Sequence, residues 1–214
     1  MSGAIDCADD SNKQQDQVIK RVFWISLVAV AYLGARDWET RPIEHSPGVL
    51  VPQMPIQRDS KASQFKIEDY LVTRRASFEI RARVLSTETY FIGRESDLSP
   101  IDLALGWGPM SDQSILDLIE ISQSARWYRT RWDQPLPIGD NVIIRSSSNM
   151  HMIPSAKKVK SVLKNLRKGD LVNIRGSLVD VDHESGWFWR TSLSREDTGA
   201  GACEIVYVES IVVE

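Results

Sequence analysis

The chain is poor in cysteine and histidine, and it has no large excess of charge of either sign. Two cysteines, Cys7 and Cys203, in 214 residues exclude a disulfide scaffold. Three histidines, His45, His151 and His183, lie far apart with no metal-ligand spacing. HExxH and CxxC motifs are missing, so no metal is expected. Glycine-rich phosphate loops and the GxSxG elbow are missing too, so no cofactor is expected. With 26 Lys+Arg against 29 Asp+Glu the net charge is -3, which argues against a chain that coats nucleic acid. No repeat or low-complexity tract is present. What is there is a globular balance, 42% hydrophobic and 26% charged, which excludes a disordered chain and a polytopic membrane protein.

The front of the chain is set apart. Residues 1–17 are polar, carry Asp6, Asp9, Asp10 and Asp16, and predict a disordered tail. From Val22 to Ala35 run 14 residues without a charge, bounded by Lys20-Arg21 and Arg36-Asp37. As a helix the run spans about 21 Å, short of a hydrocarbon core of about 30 Å. It is nevertheless apolar all round. Trp24, Tyr32 and Trp38 stand near its ends, and Val18 and Ile19 extend it. These features predict a single-pass signal anchor over 18–35, touching the lipid bilayer through 22–35. A buried core helix and a signal peptide cleaved near Leu33-Gly34-Ala35 are the alternatives. Lys13, Lys20 and Arg21 precede the run and Arg36 and Arg41 follow it. That bias puts the N-terminus in the cytoplasm and the C-terminal domain outside it. Pro42, Pro47, Pro52, Pro55 and Gly48 make 36–64 a Pro-rich linker, either a plain spacer or an extended arm along the body.

The body is expected at 65–214. SFEIRARVLS alternates Phe78, Ile80, Ala82 and Val84 against Glu79, Arg81 and Arg83, which predicts a half-buried strand. Ser111 predicts a cap for a helix over 112–122, and AKKVKSVLKNLRK predicts a second helix stopped by Gly169. RWYRTRW and NVIIRS are expected to be strands. GDLVNIRGSLVDVD is expected to bend at Gly176 and pair with WFWRTSL across the HESG turn. The predicted fold class is α+β: an N-terminal membrane helix, then a small antiparallel sheet or partly closed β-barrel with two helices. The style is that of an OB or SH3-like barrel, by fold-level analogy.

Four loops are richer in polar residues than spacers require. They supply the candidate binding residues Asp102, Trp107, Asp112, Arg126, Asn149 and Glu204, with Gln123 and Trp127 nearby. They also supply a candidate catalytic set. His151 with Cys203 has the chemistry of a nucleophile pair, and Asn149 or Asp197 could orient the imidazole beside Arg195. The bland alternative packs Cys203 as a small hydrophobe and ties Arg195, Asp197 and Glu204 into a charge network that fixes the glycine-rich loop. Lys157, Lys158, Lys160, Lys164, Arg167 and Lys168 suit a polyanion or a solvated helix face.

The blocks DLALGWGPMSD, NMHMIPS and SLSREDTGAGACE resemble those of an uncharacterised family of bacterial proteins with one N-terminal membrane segment. The resemblance covers most of the chain after residue 35. It implies architecture and gives no residue a catalytic role. The resulting expectation is a membrane-anchored extracytoplasmic binding or assembly protein of unknown ligand, partnered by the bilayer and by another membrane protein. One alternative is a hydrolase using the His151, Cys203, Asp197 and Arg195 loops. A second is a soluble cytoplasmic polyanion-binding domain.

Overall fold

Strand β2 (Tyr70–Thr89) organises the body, because its apolar residues alternate far enough to serve three neighbours. The computed structural model describes residues 17, 19–30, 41–194, 196–199 and 201–214. The chain divides into two units, Met1–Arg41 and Pro42–Glu214.

In the first unit, residues 19–30 are helical and exposed throughout. Among the described residues, no helix is long and apolar enough to cross a membrane. Twelve residues rise only about 18 Å, against a hydrocarbon core of about 30 Å. The expected single-pass signal anchor over 18–35 is corrected accordingly. The sidedness inferred from it, cytoplasmic N-terminus and extracytoplasmic domain, loses its basis. Residues 1–16, 18 and 31–40 lie outside the described residues.

The body is mostly β-sheet, which corrects the expected α+β fold built on a membrane helix. A seven-stranded sheet runs β1-β2-β3-β6-β9-β7-β8. It comprises β1 (Ile56–Ile67), β2, β3 (Ile101–Gly106), β6 (Ser147–Pro154), β7 (Leu171–His183), β8 (Phe188–Trp189) and β9 (Glu204–Val213). A separate hairpin pairs β4 (Glu120–Ser124) with β5 (Trp127–Arg131). The helices are short: α1 (Arg94–Leu98), α2 (Gln113–Leu116), α3 (Asp140–Ser146) and α4 (Lys157–Lys164).

The sheet closes on itself. β2 pairs with β7 along Tyr70–Arg83 and with β3 along Arg83–Thr89. The circuit β2-β3-β6-β9-β7 therefore returns to β2 as a five-stranded barrel. All its contacts are antiparallel except β6 with β9. In chain order helix α4 lies between β6 and β7, the third and fourth strands of the barrel. That connectivity is the Greek-key arrangement of an OB-type barrel. Phe78, Ile80, Leu103, Leu105, Met150, Met152, Ile174 and Val206 fill the interior, together with Val159 and Leu163 of α4. Burying such side chains stabilises the barrel by about 1.5–3 kcal/mol each. Gly176 sits at a register shift between β7 and β9, where a Cβ would collide with the carbonyl of Tyr207.

Local departures from the sequence reading have local causes. The helix expected over 112–122 is one turn, because Glu120–Ser124 alternates and pairs as β4. Asp112 caps that turn through Ser114 N–H, while the Ser111 hydroxyl is occupied by Leu50 and Val51 N–H. NVIIRS is helical in α3, where Ile143 is buried against Ile115 and Leu116. Part of the stretch read as linker belongs to the body. Ile43 N–H bonds Lys168, His45 Nε2 lies 2.8 Å from Gly169 O, Val51 is fully buried, and β1 begins at Ile56.

Candidate functional site

The site forms on the outer face of β3 and β6. Leu103 and Leu105 of β3 and Met150 and Met152 of β6 point inward. Pleating therefore turns Asp102, Asn149 and His151 outward. Asp102 is opposite His151, and Ala104 is opposite Asn149. This face is not solvated as an ordinary outer face would be. The β4–β5 hairpin and the chain between β7 and β9 cover it, so Asp102 is 0% exposed, Asn149 3% and His151 4%.

Arg126 ties the cover to the floor. Ser124 pairs with Trp127, leaving Ala125 and Arg126 as a two-residue turn. Both have positive φ, 50° and 70°, the primed hairpin pattern that normally selects Asn-Gly. No glycine is present, so the turn carries backbone strain. Contacts of Arg126 hold it. Arg126 N–H donates to the Tyr90 hydroxyl at 2.8 Å. Its Nη1 donates to Asp102 Oδ1 at 2.5 Å and its Nη2 to Ser99 O at 2.9 Å. The guanidinium carbon lies 4.0 Å from the Tyr90 ring centroid, a cation–π distance. Burial raises the Tyr90 hydroxyl above its usual pKa.

The other Asp102 oxygen faces the histidine. Oδ2 is 2.9 Å from His151 Nδ1, but the two are poorly aligned, and neither atom has another partner. The imidazole lies under Trp189, with ring centroids 4.7 Å apart. Asp102 thus stands behind the Nδ1 edge of the imidazole, and His151 lines the larger of the cavities described below. Nε2 has no partner among the described residues. Asn149 is engaged on all sides. It accepts from Gln123 Nε2 at 2.7 Å and donates to Arg126 O at 3.0 Å and to Cys203 Sγ at 3.7 Å.

Two cavities flank this floor. One, of about 350 Å³, is lined by Arg126, Trp127, His151, Phe188, Trp189 and Arg190. The other, of about 260 Å³, runs past Tyr128, Ser147, Asn149 and Asp197. They share Trp127, Gly199 and Cys203 as lining residues. The result is a cleft with aromatic walls. Trp127 is 45% exposed and Phe188 62%. Among the described lining residues both arginines are matched: Arg126 by Asp102, and Arg190 by Asp182 at 2.5 Å.

The chemistry of the cleft is more restricted than its composition suggests. Burial, foremost, pushes the Cys203 thiol up to about 11, so it stays protonated near neutrality. Ser147 donates to Ile143 O, and Ser148 donates to Glu204. Among the described residues no thiol or hydroxyl bonds to either nitrogen of His151, so the nucleophile–base contact of a triad is absent there. Asp197 accepts from Ser192 Oγ at 2.6 Å and braces the glycine-rich loop.

Of the residues singled out in the sequence, Asp102, Arg126, Asn149, His151 and Cys203 come together, and Asp197 lines the second cavity. Glu204 is buried at a small adjoining cavity with Ser148 and Asp197. Trp107 is part of the barrel core instead. Asp112 faces the 42–51 arm, where Gly48 N–H, foremost, holds its carboxyl below the usual range. Arg195 lies outside the described residues. Tyr90, Ser99, Phe188 and Trp189 were not anticipated as site residues. The aromatic run WFWR was the available signal, and it read as an ordinary hairpin strand. The chain matches no family model, no curated protein and no solved structure.

Proposed function

We propose that this chain is a binding protein and that the cleft between the β4–β5 hairpin and the β7–β9 connection takes a small ring-bearing ligand. The observation that carries this reading is the pairing of exposed rings with a rigid, buried polar floor. Trp127 and Phe188 stay solvent-exposed, His151 and Asn149 are buried in the lining of the two cavities beside them, and Asp102 lies behind His151. Exposed aromatic surface beside a polar floor fits recognition of a ring face plus its polar edge. The position supports the same reading, since OB-type barrels present ligands on the equivalent strand face and its flanking loops. Binding is preferred to hydrolysis because the Cys203 thiol is held protonated and His151 touches no nucleophile among the described residues. It is preferred to polyanion binding through α4 because none of that helix's lysines lines the cleft and both arginines among the described lining residues are already matched.

The test is ligand-dependent melting of the wild type and of Trp127→Ala, with a set of monosaccharides, nucleosides and free aromatic amino acids. A compound present at about 100 times its Kd stabilises by about 2.7 kcal/mol. The expected result is a raised melting temperature in the wild type and a much smaller rise in Trp127→Ala. Equal rises in both proteins, or none in either, contradict the proposal.

A further inference from the structure

We infer that the ligand of the cleft is a neutral glycan, bound with a pyranose ring against Trp127 or Phe188 and a hydroxyl on His151 Nε2; this rests on the binding reading above. The argument starts from charge. A phosphate-bearing chain requires cations free to meet it, and its affinity then falls steeply with salt. Arg126 gives its guanidinium to Asp102, Ser99 O and the Tyr90 ring. Arg190 gives its own to Asp182 and Val181 O, and it lies 4.9 Å from the Phe188 ring. Asp197 adds a carboxylate to the lining. Among the described lining residues every cation is therefore matched by a carboxylate, which disfavours nucleic acid and anionic polymers.

What it offers instead suits a polyhydroxylated ring. Trp127, Phe188 and Trp189 give flat apolar faces for the C–H side of a sugar. His151, 4% exposed, has Nε2 without a partner among the described residues, and Asp102 orients that ring from behind. A sugar hydroxyl both donates and accepts, so it can hydrogen-bond Nε2 in either tautomer of the imidazole. Thr130, Asp197 and Thr198 line the far part of the cleft and add hydroxyl-matching groups. The larger cavity, about 350 Å³, falls within the size range of small-ligand sites. It adjoins the second cavity through Trp127, Gly199 and Cys203, which line both, so a chain of more than one sugar can reach the two.

The experiment is calorimetric titration of the full chain with cellohexaose, chitohexaose and maltohexaose, and with a thymidine oligonucleotide as the charged counterpart. The expected result is binding of at least one glycan, with affinity changing by less than about twofold between about 50 mM and about 200 mM salt. Trp127→Ala and Phe188→Ala, both at exposed positions, are each expected to weaken that binding about tenfold. Failure of all three glycans, or tighter and steeply salt-dependent binding of the oligonucleotide, overturns the inference. If the glycans fail while nucleosides or aromatic amino acids still raise the melting temperature through Trp127, the cleft remains a binding site and only its ligand class is wrong. If nothing binds, both readings fall.

Discussion

Asp102 and His151 face each other across neighbouring strands, with Oδ2 2.9 Å from Nδ1, and Arg126 holds the other carboxylate oxygen at 2.5 Å. A fully buried carboxylate thus has one permanent cation and one imidazole. Removing the cation leaves the charge buried with a single imperfect partner. Arg126→Ala is therefore expected to destabilise the fold by about 3 kcal/mol or more, measured by urea denaturation. A loss under about 0.5 kcal/mol would mean that the pair does not hold the hairpin to the barrel.

The turn above that pair carries its own expectation. Ala125 is left-handed, with φ of 50°, and its side chain is exposed. Glycine adopts that conformation without penalty. Ala125→Gly is expected to raise stability by about 0.5–1 kcal/mol, despite glycine's larger entropy loss on folding. A destabilised variant in the same denaturation experiment would show that the turn is not strained.

Cys203 should behave as a half-buried, protonated thiol. Its pKa rises from 9.0 to about 11 in the folded chain, mainly through burial. A group with a raised folded pKa adds stability below its unfolded pKa and loses it as pH climbs through the folded one. Stability should therefore decline between about pH 9 and 11, by an amount of order 2 kcal/mol from this thiol. Tyr128, pushed up to about 12 by burial, extends the decline to higher pH. Cys203→Ala should flatten the first part of that slope, read by thermal melting at stepped pH. Rapid alkylation of Cys203 by iodoacetamide in the native wild type at pH 7 would contradict the assignment.

The arm before β1 is expected to be part of the folded body. Gly169 has φ of 99°, and a Cβ there would collide with the carbonyl of Ile43. Gly169→Ala is expected to cost about 2 kcal/mol or more, through both the backbone and the displaced arm. An unchanged melting temperature would show that the 42–51 segment does not pack as described.

The sequence made some of this legible and concealed the rest for physical reasons. Strand periodicity marked β2, because Phe78, Ile80, Ala82 and Val84 line one face of a long strand. Gly176 marked a bend because only glycine tolerates the close approach of Tyr207. A partly closed barrel stood beside an open antiparallel sheet only by fold-level analogy, because which distant strands pair to close the circuit follows no local pattern. The site was half visible. Asp102, Arg126, Asn149 and His151 stood out as polar residues in loop-rich stretches, yet their convergence comes from the register of β3 with β6 and from a turn without glycine. Trp107 misled because a large aromatic between two glycines resembles a binding platform, and here it fills the core. The apolar run near the N-terminus misled in the other direction, because composition suggested a bilayer that its described helical length does not span.

The most direct test of the cleft as a binding site is a proton–nitrogen spectrum of the tryptophan indoles, recorded while the set of ring compounds is titrated. Trp127 and Trp189 line the cavity and Trp107 is buried in the barrel. The account predicts saturable shifts at Trp127 and Trp189 with Trp107 unmoved. Shifts confined to other tryptophans, or no shift with any compound, would contradict it.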